Sequence, residues 1–144
     1  MRIVILGCGR LGTIIAGRMI KDPKNQVNII DKDRNALMKL GDDFPGKIMQ
    51  ADGVNMAIYS LILNETEKTD VFLALTNIDN TNIMAAEIAK QKYKVDKVIA
   101  RIDDPIRAKA FEELGIETFC PTTLSEKRII KMMTPAKTEE DKGE

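Results

Sequence analysis

The 144-residue chain carries Lys+Arg and Asp+Glu in equal numbers, 22 each, so no net field draws it to nucleic acid or to an acidic membrane surface. It has no histidine, which removes the commonest general base and the commonest neutral metal ligand from its repertoire. The two cysteines, Cys8 and Cys120, suit a reduced thiol state and a cytoplasmic setting better than a disulfide framework, and no apolar run approaches the roughly 20 residues that insert across a bilayer.

Short apolar runs alternate with amphipathic segments, the pattern of parallel strands covered on both faces by helices. Arg2–Leu6 reads as the first strand and runs straight into the glycine turn Gly7–Gly12, which leaves no signal-peptide architecture. A helix follows with Leu11, Ile14, Ile15 and Met19 at helical spacing, punctuated by Asp22–Pro23. Val27–Asp31 is the second strand. Asp33 is placed to cap the next helix, which holds Leu37, Met38 and Leu40 and stops at Gly41. Lys47–Gln50 and Met56–Leu63 make the third strand and helix. Val71–Leu75 is an apolar fourth strand, followed by the polar loop Thr76–Asn80 and a helix over about Thr81–Gln91.

Val98–Ala100 is the core of a fifth strand that ends at Arg101. Asp104–Pro105 opens the fifth helix, with Ile106, Ala110, Phe111 and Leu114 as its buried stripe and Gly115 as its stop. Glu117–Cys120 is the sixth strand. A last helix begins near Leu124, with Thr123 and Glu126 at capping-box spacing, apolar Ile129, Ile130, Met132 and Met133, and Pro135 as its stop. The whole predicts an α/β doubly wound parallel sheet of about six strands over residues 1–133, with a C-terminal extra helix and a charged, disordered tail over 134–144.

The chemistry concentrates in Gly7-Cys8-Gly9-Arg10-Leu11-Gly12, a G-x-G-x-x-G sequence. Its glycines suit a tight turn, close backbone approach to phosphate, and close packing of helix on strand. The motif follows a strand, opens a helix, and is trailed by Asp31 at the end of the second strand, 19 residues beyond Gly12. An acid there accepts hydrogen bonds from ribose hydroxyls and repels a 2′-phosphate, so NADP is disfavoured. Asp31 and Asp33 compete for the simpler task of capping the following turn. Arg10 can bind terminal phosphates of ATP or ADP or stand as a solvated side chain. Cys8, near a helix N-terminus, is open to a lowered pKa, although a small residue tolerated in the turn is the simpler reading. Tyr93 and Lys97 reproduce a Tyr-x-x-x-Lys dehydrogenase spacing by coincidence, because Lys97 begins a strand. Asp103, Asp104, Asp79, Asn80 and Asn82 sit at helix starts, where capping competes with ligand binding.

With these residues in place, the chain resembles the TrkA-N, or RCK (KTN), nucleotide-binding domain of potassium-transport regulatory proteins. The resemblance rests on Gly7–Gly12 with Arg10, Asp31, Ala51-Asp52, Ala74-Leu75-Thr76-Asn77 with Asp79, Ile99-Ala100-Arg101 before Asp104-Pro105, and Phe119-Cys120-Pro121. It implies a Rossmann-like fold and a cytoplasmic subunit that binds NAD(H) or ATP/ADP and gates a membrane potassium uptake transporter or channel, lying at the inner face of the membrane through that partner. It also implies a homo-oligomer, a dimer or higher ring, joined by the last helix. The nucleotide contacts would be Gly7, Gly9 and Gly12 at the diphosphate, Asp31 at the ribose, Asp52 near adenine, Thr76 and Asn77 on the loop after the fourth strand, and Arg101 facing a phosphate or a subunit contact, with Cys8, Arg10, Leu11, Lys32 and Ala51 beside them. Two departures stand out. Relatives often read Gly-Asp-Ala-Thr where this chain has Ala51-Asp52-Gly53-Val54, and many carry Pro-Glu where it has Pro121-Thr122, so no metal site is carried over.

The competing expectation is an NAD-dependent oxidoreductase or its isolated cofactor domain. That reaction needs a substrate pocket and a proton donor, and neither a histidine nor a placed Tyr–Lys pair is available. A regulatory module, not an enzyme, is the expected role.

Overall fold

Five apolar or amphipathic side chains in a row are satisfied only where both faces of a strand are covered, and Arg2–Leu6 (β1) is buried along its whole length. The computed structural model describes residues 1–64 and 66–134. The expected Pro135 stop and the disordered tail fall on residues 135–144, outside the described residues.

β1 pairs in parallel with β2 (Gln26–Asp31) on one side and β4 (Val71–Ala74) on the other. β3 (Lys47–Gln50), β5 (Lys97–Arg101) and β6 (Glu117–Phe119) extend the sheet to six parallel strands in the order β3-β2-β1-β4-β5-β6. This is the doubly wound arrangement expected from the sequence. The order reverses between β1 and β4, which opens a crevice at the strand C-termini where such sheets take ligands.

Alternate residues of β1 feed two cores. Ile3 and Ile5 join Val27, Ile29 and Leu73 beneath α1 (Arg10–Met19) and α2 (Arg34–Met38). Val4 and Leu6 join Phe72, Ala100 and Tyr59 beneath α3 (Ala57–Ile62), α4 (Asp79–Glu87) and α5 (Pro105–Glu113). Asp33 caps α2 by accepting the Asn35 N–H at 2.8 Å, and Asp104 caps α5 by accepting those of Ile106 and Arg107 at 2.8 and 3.2 Å.

Three expectations need correction. α4 starts at Asp79, two residues before Thr81, and continues beyond Glu87 as one π-helical turn over Ile88–Lys92. The buried stripe of α5 is not Ile106, Ala110 and Leu114: Ile106 is 83% and Leu114 67% exposed, Ala110 is exposed, and Phe111 alone of the four is half-buried. α5 lies over the sheet's edge, where small Ala108 lets it approach β6, and only the row of Ala108 and Phe111 meets the core. The last helix, α6, spans Pro121–Met133 with Pro121 in its first turn, so Thr123 lies inside the helix and no capping box with Glu126 forms. The Thr123 hydroxyl instead donates to Cys120 Sγ at 3.4 Å.

The turn between β1 and α1 depends on two glycines for different reasons. Gly7 has φ +111°, and a Cβ there would stand 2.7 Å from the Leu75 carbonyl carbon, so the exits of β1 and β4 close on each other. A Cβ at Gly12 would lie only 1.9 Å from the Gly7 carbonyl oxygen. Gly17, further along α1, has open space around it. Gly12→Ala is therefore expected to destabilise the fold by at least about 2 kcal/mol, whereas Gly17→Ala should stabilise it by about 0.5–1 kcal/mol through helix propensity. Urea unfolding of the two variants beside the parent checks this; a tolerated Gly12→Ala would mean that the turn closes differently.

Candidate functional site

The C-terminal ends of β1, β2, β4 and β5 surround a cleft of about 470 Å³ at the reversal point of the sheet. That volume is within the usual range for small-molecule sites, about 300–1,000 Å³. Of the residues singled out in the sequence, Gly7, Cys8, Gly9, Arg10, Asp31, Lys32, Ala51, Asp52, Thr76, Asn77 and Arg101 all line it. Leu11 and Gly12 do not. Leu11 turns into the core under α1, and Gly12 is buried beneath Gly7, so these two shape the loop from behind.

Each wall has a local cause. α1 begins directly after Gly9, whose backbone is extended, and no acidic residue occupies its first turn. The free N–H groups and positive end of α1 therefore face the cleft, an arrangement that favours an anion. A Cβ at Gly9 would meet no atom within 4 Å, so the loop keeps open space on its cleft side. Asp31, at the end of β2, accepts the Cys8 N–H at 2.7 Å through Oδ2 and the Asp33 N–H at 2.8 Å through Oδ1. The carboxylate thus ties the glycine loop to the β2–α2 turn, and each oxygen retains a lone pair for a further donor. Its turn-holding and ligand-facing readings are compatible.

The Cys8 side chain is not an activated thiol. It is 1% exposed, its Sγ donates to the Ala36 carbonyl at 3.4 Å, and burial pushes its pKa up, which fits the simpler reading of a small residue tolerated in the turn and not a thiol lowered by the helix N-terminus. The Tyr93/Lys97 pair separates as expected. Tyr93 closes the π-helical turn, while Lys97 opens β5 and pairs with Glu117 at 2.6 Å.

Beyond β4 the wall is organised by a residue that is not a lining residue at all. Asn82 in α4 is fully buried. Its Oδ1 accepts the Thr76 N–H at 2.9 Å and the Thr76 hydroxyl at 2.7 Å, and its Nδ2 donates to the carbonyls of Thr76 and Arg101 at 2.9 and 2.8 Å. One amide therefore fixes the loop after β4 and the end of β5 together. Asp79 does not cap α4. It accepts the N–H groups of Asp103 and Asp104 at 2.9 and 3.2 Å and so joins the loops after β4 and β5. Asn80 accepts from the Arg107 guanidinium at 2.7 Å. Arg101 forms a two-pronged ion pair with Asp103 at 2.8 and 2.9 Å, which raises its pKa further.

Lys39 and Ala36 also line the cleft and were not foreseen. Their spacing of three on α2 was the available signal, since it puts both on the face turned to the glycine loop. The lining carries four cations (Arg10, Lys32, Lys39, Arg101) and three carboxylates (Asp31, Asp33, Asp52). Arg10, Lys32 and Lys39 make no ion pair among the described residues, so the cationic side is the one left free for an anionic ligand. No cluster of potential metal ligands occurs among the described residues, and no described helix is long and apolar enough to cross a membrane.

The floor on the far side is held by Tyr59. Its hydroxyl donates to the Gly53 carbonyl at 2.6 Å, and its ring is tilted against Phe72 with centroids 6.4 Å apart. At Gly53 a Cβ would stand 2.9 Å from the Leu6 side chain. Val54, beside it, is 55% exposed.

The TrkA-N domain family model matches residues 3–121. The Trk system potassium uptake protein TrkA of Streptomyces coelicolor is 32% identical over 136 residues, covering 94% of this chain and 60% of that protein. Among solved structures, the TrkA-N domain of the inner membrane protein ybaL from Escherichia coli superposes with a TM-score of 0.75 at 14% identity, covering 92% of this chain and 96% of that one. The Kef CTD of Shewanella denitrificans in AMP-bound form does so with a TM-score of 0.73 at 17% identity, covering 94% and 84%. At these identities the structural likeness shows the fold, a Rossmann-like parallel sheet with flanking helices.

Burial, aided by the nearby Asp52, pushes the Tyr59 phenol up to about 12 from its ordinary 10. Because the folded pKa is the higher, the associated stability is whole below pH 10 and is lost as pH rises toward 12, at about 1.4 kcal/mol per unit. Tyr59→Phe should cost about 1 kcal/mol at neutral pH through the lost hydrogen bond and flatten the loss of stability above pH 10. Chemical unfolding of both proteins at several alkaline pH values reads the difference; parallel curves would detach the effect from Tyr59.

Proposed function

The chain belongs to the TrkA-N domain family, and from that premise we propose that it is the nucleotide-reading unit of a potassium-transport regulator. The observation that carries this reading is the convergence, on one cleft, of the glycine loop with open space at Gly9, the Asp31 carboxylate, and the cations Arg10 and Arg101. The ligand class is an adenine nucleotide or dinucleotide, ATP/ADP or NAD(H). Its diphosphate would rest on the N–H groups at the start of α1, and its ribose would donate to Asp31. NADP is disfavoured by the same carboxylate. AMP in the Kef CTD supports the general class.

The chain spans between about a fifth and three-fifths of the length of the curated relatives it matches. Regulation of a membrane potassium transporter at the cytoplasmic face is therefore the proposed role of the assembly, with this domain as its sensor. Occupancy regulates only if the nucleotide binds two arrangements of that assembly with different affinity. Neither tyrosine of the chain is placed as the proton donor of an oxidoreductase: Tyr59 is buried with its hydroxyl spent on Gly53, and Tyr93 lies away from the lining. A binding role is favoured over catalysis.

The self-association surface is α6. None of its residues is buried, and Leu124, Ile129, Ile130, Met132 and Met133 are 52–77% exposed. An apolar helix that finds no cover on its own domain is best satisfied by a second copy of the chain.

Calorimetric titration with AMP, ADP, ATP, NAD and NADH at one salt concentration tests the ligand class. Binding by at least one of these is expected, with Gly9→Ala, which fills the open space in the loop, weakening it at least about tenfold while the circular dichroism spectrum is unchanged. Equal affinity in parent and variant would remove the glycine loop from the site. For the assembly, sedimentation of the parent should give a dimer or larger ring, and Ile129→Glu with Met133→Glu should give monomers; a monomeric parent sinks the α6 proposal.

A further inference from the structure

If a nucleotide lies as just described, with adenosine at β2 and diphosphate at β1, whatever extends past the diphosphate crosses β4 toward β5. Arg101 stands there, two strands from the glycine loop, or about 10 Å at ordinary strand spacing. Its guanidinium has a partner already. Nε and Nη2 donate to the two oxygens of Asp103, so this carboxylate occupies the fork that a phosphate would take. The pair is accessible, with side chains 26% and 45% exposed, so the competition is between anions of similar reach and not against a buried, fixed bond.

Asp103 is also the residue on which α6 is seated. Its carbonyl accepts the Thr122 hydroxyl at 2.7 Å and the Cys120 thiol at 3.6 Å, both at the start of α6. Its N–H donates to Asp79 at 2.9 Å. The carboxylate pairs with Arg101, which lines the cleft, while the backbone carbonyl holds the helix, so a change of partner at one end alters the restraint at the other.

We propose that the Arg101–Asp103 pair is a phosphate-operated latch. A phosphate beyond the diphosphate takes Arg101 from Asp103, the loop after β5 loses its side-chain brace, and the first turn of α6 is loosened from its seat on the Asp103 carbonyl. The proposal rests on the nucleotide assignment above and adds to it a discriminating residue and a route. Ligands that stop before β5 bind without releasing the latch; those that reach Arg101 release it. Because the same brace must be broken to bind, Asp103 lowers affinity for the longer ligands alone.

Asp103→Asn separates these parts, since it keeps the backbone bonds to Asp79, Thr122 and Cys120 and removes only the charge. Titrations of the full chain with AMP and with ATP at fixed salt should show ATP binding about two- to five-fold tighter in the variant, the span of half-exposed ion pairs, with AMP unchanged. Hydrogen exchange supplies the second readout. The Leu124 amide, which donates to the Cys120 carbonyl, should exchange faster in the parent with ATP than with AMP, and fast in Asp103→Asn without either. ATP bound no more tightly by the variant would show that Asp103 orients Arg101 instead of competing for it, and would overturn the latch. Indifference of the Leu124 amide to bound ATP would overturn the route. If neither AMP nor ATP binds the parent chain, the latch falls; the nucleotide assignment falls with it only if ADP, NAD and NADH fail to bind as well.

Discussion

Everything on the rim of the cleft depends on one steric constraint, the packing of α1 onto its own turn at Gly12. With 1.9 Å between a would-be Cβ and the Gly7 carbonyl oxygen, only hydrogen fits, and the start of α1 is pressed against the end of β1. Gly7 transmits that closeness sideways to Leu75 and Thr76, just past the end of β4, and its N–H is held by the Ile30 carbonyl on β2. Three strand ends are therefore drawn together at the point where the strand order reverses. The apolar β1 supplies the burial that keeps the arrangement rigid. The polar groups on the rim then have little freedom in where they point.

Around that point the rim is built from side chains that serve the backbone first. Asp31 binds two N–H groups, Asp79 binds two, and Asn82 makes four hydrogen bonds at full burial. An unmade bond at such positions costs more than a made one gains. The loops after β1, β2, β4 and β5 are consequently fixed relative to one another before any ligand is considered, which lowers the ordering cost of binding. Cys8, the thiol among the lining residues, is buried against Ala36.

Much of this was legible in the sequence because the fold's main signals are local. Continuous apolar runs locate β1 and β4, the glycine pattern locates the turn, and Asp33 and Asp104 are caps where a cap is needed. What was not legible depends on which neighbour a helix meets. The α5 stripe fails because helical spacing marks several possible faces, and the one turned to the core is the row of Ala108 and Phe111. The helix start at Pro121 was hidden by a Thr–Glu spacing that mimics a capping box. Asn82 was seen only as a helix-start residue; its role as a staple between two strand ends follows from the parallel pairing of β4 with β5, which no local pattern announces.

The sheet is also a partition between two unequal interiors. Among the described residues, the cluster under α3, α4 and α5 is the larger, and the one under α1 and α2 the smaller. α2 has only five residues and buries only Leu37. The half of the domain that holds the glycine loop is thus the half with less apolar surface to keep it shut, and local opening free energies scale with such burial. A molecule bridging Gly9 and Asp31 would act as a splint across the weaker wall. Its occupancy would be stored as rigidity in α1 and α2, a form of signal that requires no displacement of the backbone.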